Sequence, residues 1–381
     1  MNFFRLFLTG WLIISFSGVA AAQEPEIRVE ILKDVDSFVI SVRGVYQIID
    51  LTDHTLLVKK RRLKRSKVDV FSAGITIGNE YFETKKIRIV SSNDITVYSK
   101  NKKGRFRGTV DILVDKNNNF QLINRLGLEF YVRGVLFHEV SDKWPIEAIK
   151  AQAVATRTYA LFRMNENSKK AFDVTSDIFS QVYGGKSAER FRTDMAVNQT
   201  TGQVIVFDGK IVPAFFHSNS GGYTEDAKEV WDINLPPLRG VKSPYSQGMP
   251  HSQWTRNFRS ADVQDILEKK GVKTGLIKDI VVAKRTLSGR VKELIIEGRD
   301  GSHNIISGKD FRSYMGPNLV LSNKYEIEMK GYYFDLIGNG WGHGVGLCQW
   351  GAYRMAKERR NYEQILKYYY PGVEIQKTEI K

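Results

Sequence analysis

The sequence predicts a mixed α+β protein in which a β-rich N-terminal lobe precedes an α/β domain with a cleft. Between residues 27 and 114, short runs such as "SFVISV" and "KIRIV" alternate apolar and polar residues and are separated by Gly, Asn and Asp, which is typical of strands and turns. Pro145 then opens a long helical pattern. The remainder combines strand-like runs, a short helix in "SADVQDILEKKG" and a glycine-rich loop that leads into two helical segments. This order of strands and helices indicates an α+β fold.

The length of 381 residues is sufficient for two lobes with a cleft between them. Residues 1–22 predict a signal peptide, because one cation precedes a short apolar run that ends in Ala20-Ala21-Ala22. An uncleaved membrane anchor is the alternative, which the short run and the Ala-x-Ala ending disfavour. We therefore expect a signal peptide at 1–22, a β-rich region at 23–110, an α/β domain at 111–376, and export to the periplasm, the cell wall or the extracellular space.

The net charge of +15 predicts an anionic partner. For an exported protein the candidates are cell-wall polymers and lipid headgroups, and nucleic acid is not expected. The densest cluster of cations is "KKRRLKRSK" at residues 59–67, and a solvated loop or strand edge is the better interpretation of it than a binding site.

Metal and thiol chemistry are not expected. Cys348 is the single cysteine, so no intrachain disulfide can form. It lacks the local signature of a papain-type nucleophile, and a small buried residue is the better interpretation. The pair His138-Glu139 resembles half of a zinc-protease motif, but position 142 is Asp142 instead of a second histidine. We expect no metal and no other cofactor.

The segment "FHEVSDKWPIEAIKAQAVATRTYALFRM" places charges where burial is expected. Glu139 ends an apolar run, where desolvation raises the pKa of a carboxyl and suits it to general acid catalysis. In the helix after Pro145, Lys150 and Arg157 lie two turns apart on one face, and the helix is apolar nearly all round. The charges form either structural salt bridges or a functional site, and their density on one stripe favours a site.

Two glycine-containing loops are further candidates. "HSNSGGYTED" carries His217, Ser218 and Ser220 beside two glycines, and it is either a plain turn or a cleft wall. "GWGHGVGLCQWGA" places His343 just before a helix, where backbone amides can bind an acetamido or carboxylate group.

Several of these blocks together resemble the stage II sporulation protein D family, which also contains the amidase enhancer LytB. The resemblance covers nearly the whole mature chain and is carried by "RFRGTVDILV", "LEFYVRGVLFHEVSDKWPIEAIKAQAVATRTYAL", "SQVYGG", "GKIVPAFFHSNSGGYTE", "SGRV", "DFRSYMG" and "GWGHGVGLCQWGAYRMA". Some members bind zinc through cysteines and histidines in the loop after the long helix. In this chain, "FDVTSDIFSQVYGGKSAE" contains neither residue type.

The resemblance implies a lytic transglycosylase that acts on peptidoglycan glycan strands in cell-wall remodelling or a sporulation-type process. It implies that Glu139 is the catalytic acid and base and that Lys150 and Arg157 line the site. The candidate substrate-binding residues are Lys150, Arg157, Tyr159, His217, Ser218, Ser220, His343 and Gln349. A single glutamate suffices for this reaction, whereas most glycoside hydrolases need two carboxylates.

Two alternatives stay open. Asp142, Glu147, Asp173 and Asp177 are potential second acids for ordinary hydrolysis. A protein of the enhancer branch would bind peptidoglycan without cleaving it and would present it to a cell-wall amidase.

Overall fold

A computed structural model describes residues 24–100, 102–177 and 180–378. The expected signal peptide and its cleavage near Ala22 lie outside these residues. Helices and several sheets are both present, which confirms the mixed α+β class. Within the described ranges, no helix is both long and apolar enough to cross a membrane.

The N-terminal part forms two packed sheets. Its strands are β1 (Glu26–Val35), β2 (Ser37–Val42), β3 (Tyr46–Asp50), β4 (Leu56–Lys60), β5 (Leu63–Phe71), β6 (Gly74–Ile77), β7 (Glu80–Phe82), β8 (Lys86–Ser91), β9 (Ile95–Ser99), β10 (Lys102–Phe106), β11 (Thr109–Val114) and β12 (Phe120–Gly127). The predicted alternation is visible in β2, where Phe38, Ile40 and Val42 are buried and the residues between them are not. Apolar faces of both sheets share one core.

The chain continues into α1 (Leu128–Glu139), α2 (Ile146–Glu166) and β13 (Val174–Thr175). One sheet has the order β13-β1-β12-β11-β8-β3-β4 and the other has the order β10-β9-β2-β5-β6-β7. The expected domain boundary between residues 110 and 111 falls inside β11, whose partners β8 and β12 lie on either side of it in the sequence.

Helix α2 begins after Pro145, as predicted, and it is buried on nearly every side from residue 148 to residue 160. Its residues Ile149 and Ala153 pack in the N-terminal core, whereas Ala151 and Val154 pack in a second core. The predicted buried helix is therefore the shared wall between two cores.

Helix α3 (Phe191–Gln199) follows and buries Ala196 and Val197 in the N-terminal core. The second core is built around β14 (Gln203–Phe207), β15 (Lys210–Ile211), β16 (Phe216–His217) and α4 (Ala227–Trp231), together with the C-terminal β23 (Leu347–Cys348), α7 (Gln349–Lys357), α8 (Tyr362–Tyr369) and β24 (Glu374–Lys377). Between them lies a module with its own core, formed by β17 (Trp254–Arg259), α5 (Ser260–Glu268), β18 (Ile277–Arg285), β19 (Val291–Gly298), β20 (His303–Ser307), α6 (Gly308–Met315), β21 (Tyr325–Lys330) and β22 (Tyr333–Gly338). Helix α5 and strands β18 and β19 confirm the elements predicted there.

Candidate functional site

Glu139 is the last residue of α1, where the backbone becomes extended at Val140. Its side chain keeps partial access to solvent, but protein atoms surround the carboxyl group. The Gln349 side chain donates a hydrogen bond from Nε2 to Oε2 of Glu139 over 3.0 Å, and the Val182 amide faces the same carboxyl group. Burial raises the pKa of Glu139 to about 7, although both hydrogen bonds act in the opposite direction. A carboxyl with this pKa can donate and recover a proton near neutral pH.

Gln349 is brought to Glu139 by a short parallel pairing in which β16 and β23 align His217 with Cys348. Gln349 follows as the first residue of α7, and it lies 210 positions from Glu139 in the chain. The Cys348 thiol caps this helix by accepting a hydrogen bond from the Gly351 amide over 3.4 Å. Cys348 is fully buried, and its burial raises the pKa of the thiol, which confirms the small buried residue predicted from the sequence.

His343 and Tyr159 line the same cavity, which has a volume of about 450 Å³. The other residues that line it are Phe162, Arg163, Glu166, Ser180, Phe215, Phe216, Trp231 and Ile233. His343 accepts a hydrogen bond at Nδ1 from the Val345 amide over 3.1 Å, and the Trp231 ring lies 4.9 Å from the imidazole. Burial and the nearby guanidinium of Arg312 lower the pKa of His343 to about 3, so this imidazole is a neutral hydrogen-bonding group.

A second cavity of about 430 Å³ lies between the N-terminal sheets and the end of α1. Its lining includes His138, Phe106 and Val182. Val182 also faces Glu139, and Ser180, two residues earlier, lines the cavity that contains His343. The segment around residues 180–184 therefore borders both cavities beside the Glu139 carboxyl.

His217 is 4% exposed, and its Nδ1 donates a hydrogen bond to the Val345 carbonyl over 3.0 Å. Its Nε2 is buried and has no hydrogen-bond partner among the described residues. Burial lowers the pKa of His217 well below its ordinary value, so Nε2 carries a free lone pair. His217 therefore connects the first glycine-containing loop, to which it belongs, with Val345 of the second loop, and its imidazole is neutral.

The two serines differ from each other in surroundings. Ser220 is buried, and its hydroxyl bonds with the Ser246 hydroxyl over 2.9 Å, which ties this loop to the next one. Ser218 is half-buried, and its carbonyl accepts a hydrogen bond from the Trp350 amide over 3.1 Å, which places it beside the start of α7.

The structure gives the two cations of α2 partners other than Glu139. Arg157 is completely buried and forms a bidentate pair with Glu129, with both distances at 2.7 Å. Lys150 pairs with Glu147 over 2.8 Å and lies over the Tyr362 ring. Within the described parts of the chain, neither cation forms an ion pair with Glu139. Their place on one face of the helix was predicted, but their partners were not.

The sequence did not single out Arg290 and Glu225, which hold the two glycine-containing loops together. Arg290 is buried and donates from Nη2 to the Ser220 carbonyl and from Nη1 to the Tyr223 carbonyl, both over 2.9 Å. The Glu225 carboxylate accepts hydrogen bonds from the hydroxyls of Thr286 and Ser288, which precede Arg290 in the same turn. The module that contains β17 to β22 and has its own core, the third, thus contacts the first glycine-containing loop through this turn.

Gly344 shows why the glycine-rich loop needs glycine at this position. Its φ is +88°, and a Cβ there would lie 2.3 Å from the Arg290 guanidinium. The sequence contained one indication of this contact, the arginine in "SGRV". A buried cation next to a tight turn needs hydrogen-bond acceptors from another part of the chain.

Comparisons with known proteins match two parts of the chain to described domains. Residues 116–207 match the family described as "Stage II sporulation protein", and residues 242–346 match a domain of unknown function, DUF8618. An uncharacterized protein of Brachyspira hyodysenteriae is 33% identical over 369 residues, which cover 93% of this chain and 94% of that protein.

Two relatives from Bacillus subtilis have functional names. The amidase enhancer is 27% identical over 288 residues, which cover 63% of this chain and 39% of that protein. Stage II sporulation protein D is 32% identical over 275 residues, which cover 68% of this chain and 77% of that protein. The chain therefore belongs to the stage II sporulation protein D family.

Proposed function

We propose that the protein is a peptidoglycan lytic transglycosylase that cleaves the bond between N-acetylmuramic acid and N-acetylglucosamine and leaves an anhydromuramoyl end. The observation that carries the proposal is the Glu139 carboxyl, whose pKa burial raises to about 7, beside a segment that borders two cavities. Peptidoglycan lies outside the cytoplasmic membrane, so this activity requires the export that residues 1–22 predict.

One carboxyl group can perform both proton transfers of this reaction. The protonated Glu139 donates its proton to the glycosidic oxygen as the bond to the anomeric carbon breaks. The resulting carboxylate then removes the proton from the 6-hydroxyl of the muramoyl residue while that oxygen bonds to the anomeric carbon. The proton returns to Glu139, and no water is consumed.

The surroundings of the other acids support a lyase over a hydrolase. Glu147 is paired with Lys150 and accepts the Tyr362 amide over 2.9 Å. Asp173 is buried and paired with Arg28. Carboxylates held in this way are poorly suited to activate water on the opposite face of a sugar. Asp142 and Asp177 remain the candidates if hydrolysis is observed.

The cavity that contains His343 is the better candidate for sugar binding. Phe215 and Trp231 stack with ring centroids 4.3 Å apart, and Tyr159 lies beside Phe215. Aromatic walls of this kind pack against the apolar faces of sugar rings, and His343 is a neutral polar side chain in the same lining. We assign Gln349 to the orientation of Glu139, Ser218 to the cleft wall, and Lys150, Arg157 and Ser220 to the support of the elements that carry the site.

A non-catalytic role as a peptidoglycan-binding partner of a cell-wall amidase is the second candidate, and the similarity to the amidase enhancer favours it. Analysis of digested glycan strands by mass spectrometry separates the possibilities. A lytic transglycosylase yields anhydromuramoyl ends, a hydrolase yields reducing muramic acid ends, and the absence of any new ends would leave the enhancer role.

The pH dependence of the reaction follows from the pKa of Glu139. Because the protonated carboxyl is the acid, we expect the rate of product release to fall about tenfold per pH unit above pH 7. Initial rates on isolated glycan strands from pH 5 to pH 9 measure this limb. A rate that stays constant through pH 8 would contradict the assignment of Glu139 as the acid.

Gln349→Leu removes the hydrogen bond that stabilises the Glu139 carboxylate, so the pKa of Glu139 should rise further. We expect the alkaline limb to move upward by about one pH unit, since a hydrogen bond to a charged group is worth about 1.5–3 kcal/mol and one pH unit corresponds to about 1.4 kcal/mol. The matched control is Gln264→Leu on α5, which should leave the profile unchanged. An unshifted limb for Gln349→Leu would show that this contact does not set the pKa.

A further inference from the structure

The basic cluster predicted at residues 59–67 is largely exposed and lies where the chain passes from one N-terminal sheet to the other. It runs from the end of β4 in the first sheet through Arg61 and Arg62 into β5 in the second sheet. We call residues 56–67 the basic segment. Strand β4 pairs with β3 and ends the order of its sheet, so its outer edge faces solvent.

The fold uses only part of this charge. Lys60 pairs with Glu80, Lys67 pairs with Asp69, and Arg65 lies 4.4 Å from the centroid of the Tyr98 ring. Four other cations are exposed and form no ion pair among the residues that the structure describes: Lys59, Arg61, Arg62 and Lys64. Their mutual repulsion is unfavourable for folding, so a role outside the fold accounts for them better than a stabilising one.

Two leucines are exposed next to these cations. Leu56 is 56% exposed and Leu57 is 38% exposed, and both lie at the start of β4. A polar anionic polymer could neutralise the cations, but it would offer the leucines no apolar surroundings. A bilayer offers both, because anionic headgroups attract Lys and Arg while the boundary of the acyl chains buries apolar side chains.

We propose that the basic segment docks on the surface of a bilayer that contains anionic phospholipids. The cations supply the attraction, and Leu56 and Leu57 insert at the headgroup boundary. Lysines at a sheet edge also prevent edge-to-edge association, but that role does not require exposed leucines beside them.

The position of the basic segment relative to Glu139 fits this arrangement. In the sheet order, β4 lies at one edge, and β13, which leads into the segment beside Glu139, lies at the other. Six strand spacings separate them, which amounts to roughly 29 Å. The second sheet has the same orientation. Its edge strand β7 is linked to β4 by the Lys60–Glu80 ion pair. Its opposite edge strand β10 pairs through Arg105 with Gly185, next to the segment beside Glu139. Docking through the basic segment would therefore hold the candidate site away from the bilayer, on the side where cell-wall polymer lies.

Sedimentation with vesicles tests the proposal. The full chain is mixed with vesicles of phosphatidylcholine alone or with about a third phosphatidylglycerol. We expect binding to the anionic vesicles that Arg61→Glu/Arg62→Glu weakens by roughly 10- to 100-fold, since each surface cation contributes about 1 kcal/mol. Residues 1–22 are common to all variants and contribute equally to each.

Controls separate the two parts of the contact. Lys269→Glu/Lys270→Glu makes the same change in net charge at the end of α5 and should leave binding to vesicles nearly unchanged. Leu56→Ser/Leu57→Ser should weaken binding to anionic vesicles but leave binding to purified peptidoglycan unaffected. Equal vesicle binding by the leucine variant and the parent would overturn the proposal. The proposal would also be overturned if Arg61→Glu/Arg62→Glu lost binding to peptidoglycan but kept binding to vesicles. That result would identify wall polymer as the partner.

Discussion

Glu139→Gln should lower the release of anhydromuramoyl products from glycan strands by roughly 10² to 10⁴-fold, the usual contribution of general acid–base catalysis. The substitution keeps the volume of the side chain and removes its ability to donate and recover a proton. Glu139 accepts a hydrogen bond from the Gln349 side chain, and an amide oxygen at position 139 can still accept it. Mass spectrometry of the products, with initial rates for parent and variant, measures the effect.

The stability of the same variant provides an independent control. In the folded parent, burial raises the pKa of Glu139 from 4.5 to about 7, so the folded state binds more protons than the unfolded state between these values. The stability of the parent should therefore decrease as pH rises from 4.5 through 7, and Glu139→Gln should abolish this part of the pH dependence. Denaturant unfolding at pH 5 and pH 8 measures it.

Two outcomes would contradict the assignment of Glu139. Normal product formation by the Glu139→Gln protein would exclude this residue as the acid and make the enhancer role the leading candidate. The control is Glu268→Gln at the end of α5, in the module with the third core. An equal loss of activity in this control would show that the loss does not depend on the candidate site.

The local features of the fold could be predicted because they depend on short stretches of sequence. Alternation in β2 and the opening of α2 after Pro145 follow from the geometry of strands and helices. The partner strands could not be predicted in this way. In particular, β1 pairs with β12, where Val29 lies opposite Asn124, and with β13, where Val29 lies opposite Val174. Only the packing of the complete core fixes such distant contacts.

The candidate site shows the same limit. Glu139 was identified from its apolar surroundings, but its contact with Gln349 depends on the pairing of β16 with β23. No partner of Arg157 was predicted, and the structure places Glu129 there instead of Glu139. These two glutamates lie at opposite ends of α1, about 15 Å apart along the helix axis. Only the packing of α1 against α2 determines which of them meets the arginine.

Glu129→Ala should lower the free energy of unfolding by about 3–5 kcal/mol, the usual cost of leaving one member of a buried ion pair without its partner. The guanidinium of Arg157 is completely buried, and Glu129 also accepts the Gly202 amide over 3.1 Å. Denaturant unfolding followed by tryptophan fluorescence measures the change. Asp262→Ala, which breaks the exposed pair with Arg259, is the control and should have no measurable effect.

A double substitution decides whether Arg157 has a role beyond this pair. Arg157→Met/Glu129→Leu removes both charges and replaces them with apolar side chains, so it should recover much of the stability lost in Glu129→Ala. If the arginine only ties α1 to α2, product formation should recover together with stability, because Glu139 at the end of α1 regains its position. If Arg157 contributes directly to substrate binding, as the resemblance to the family first implied, the stable double variant should stay inactive. Unfolding and product release measured on the same preparations distinguish these two roles.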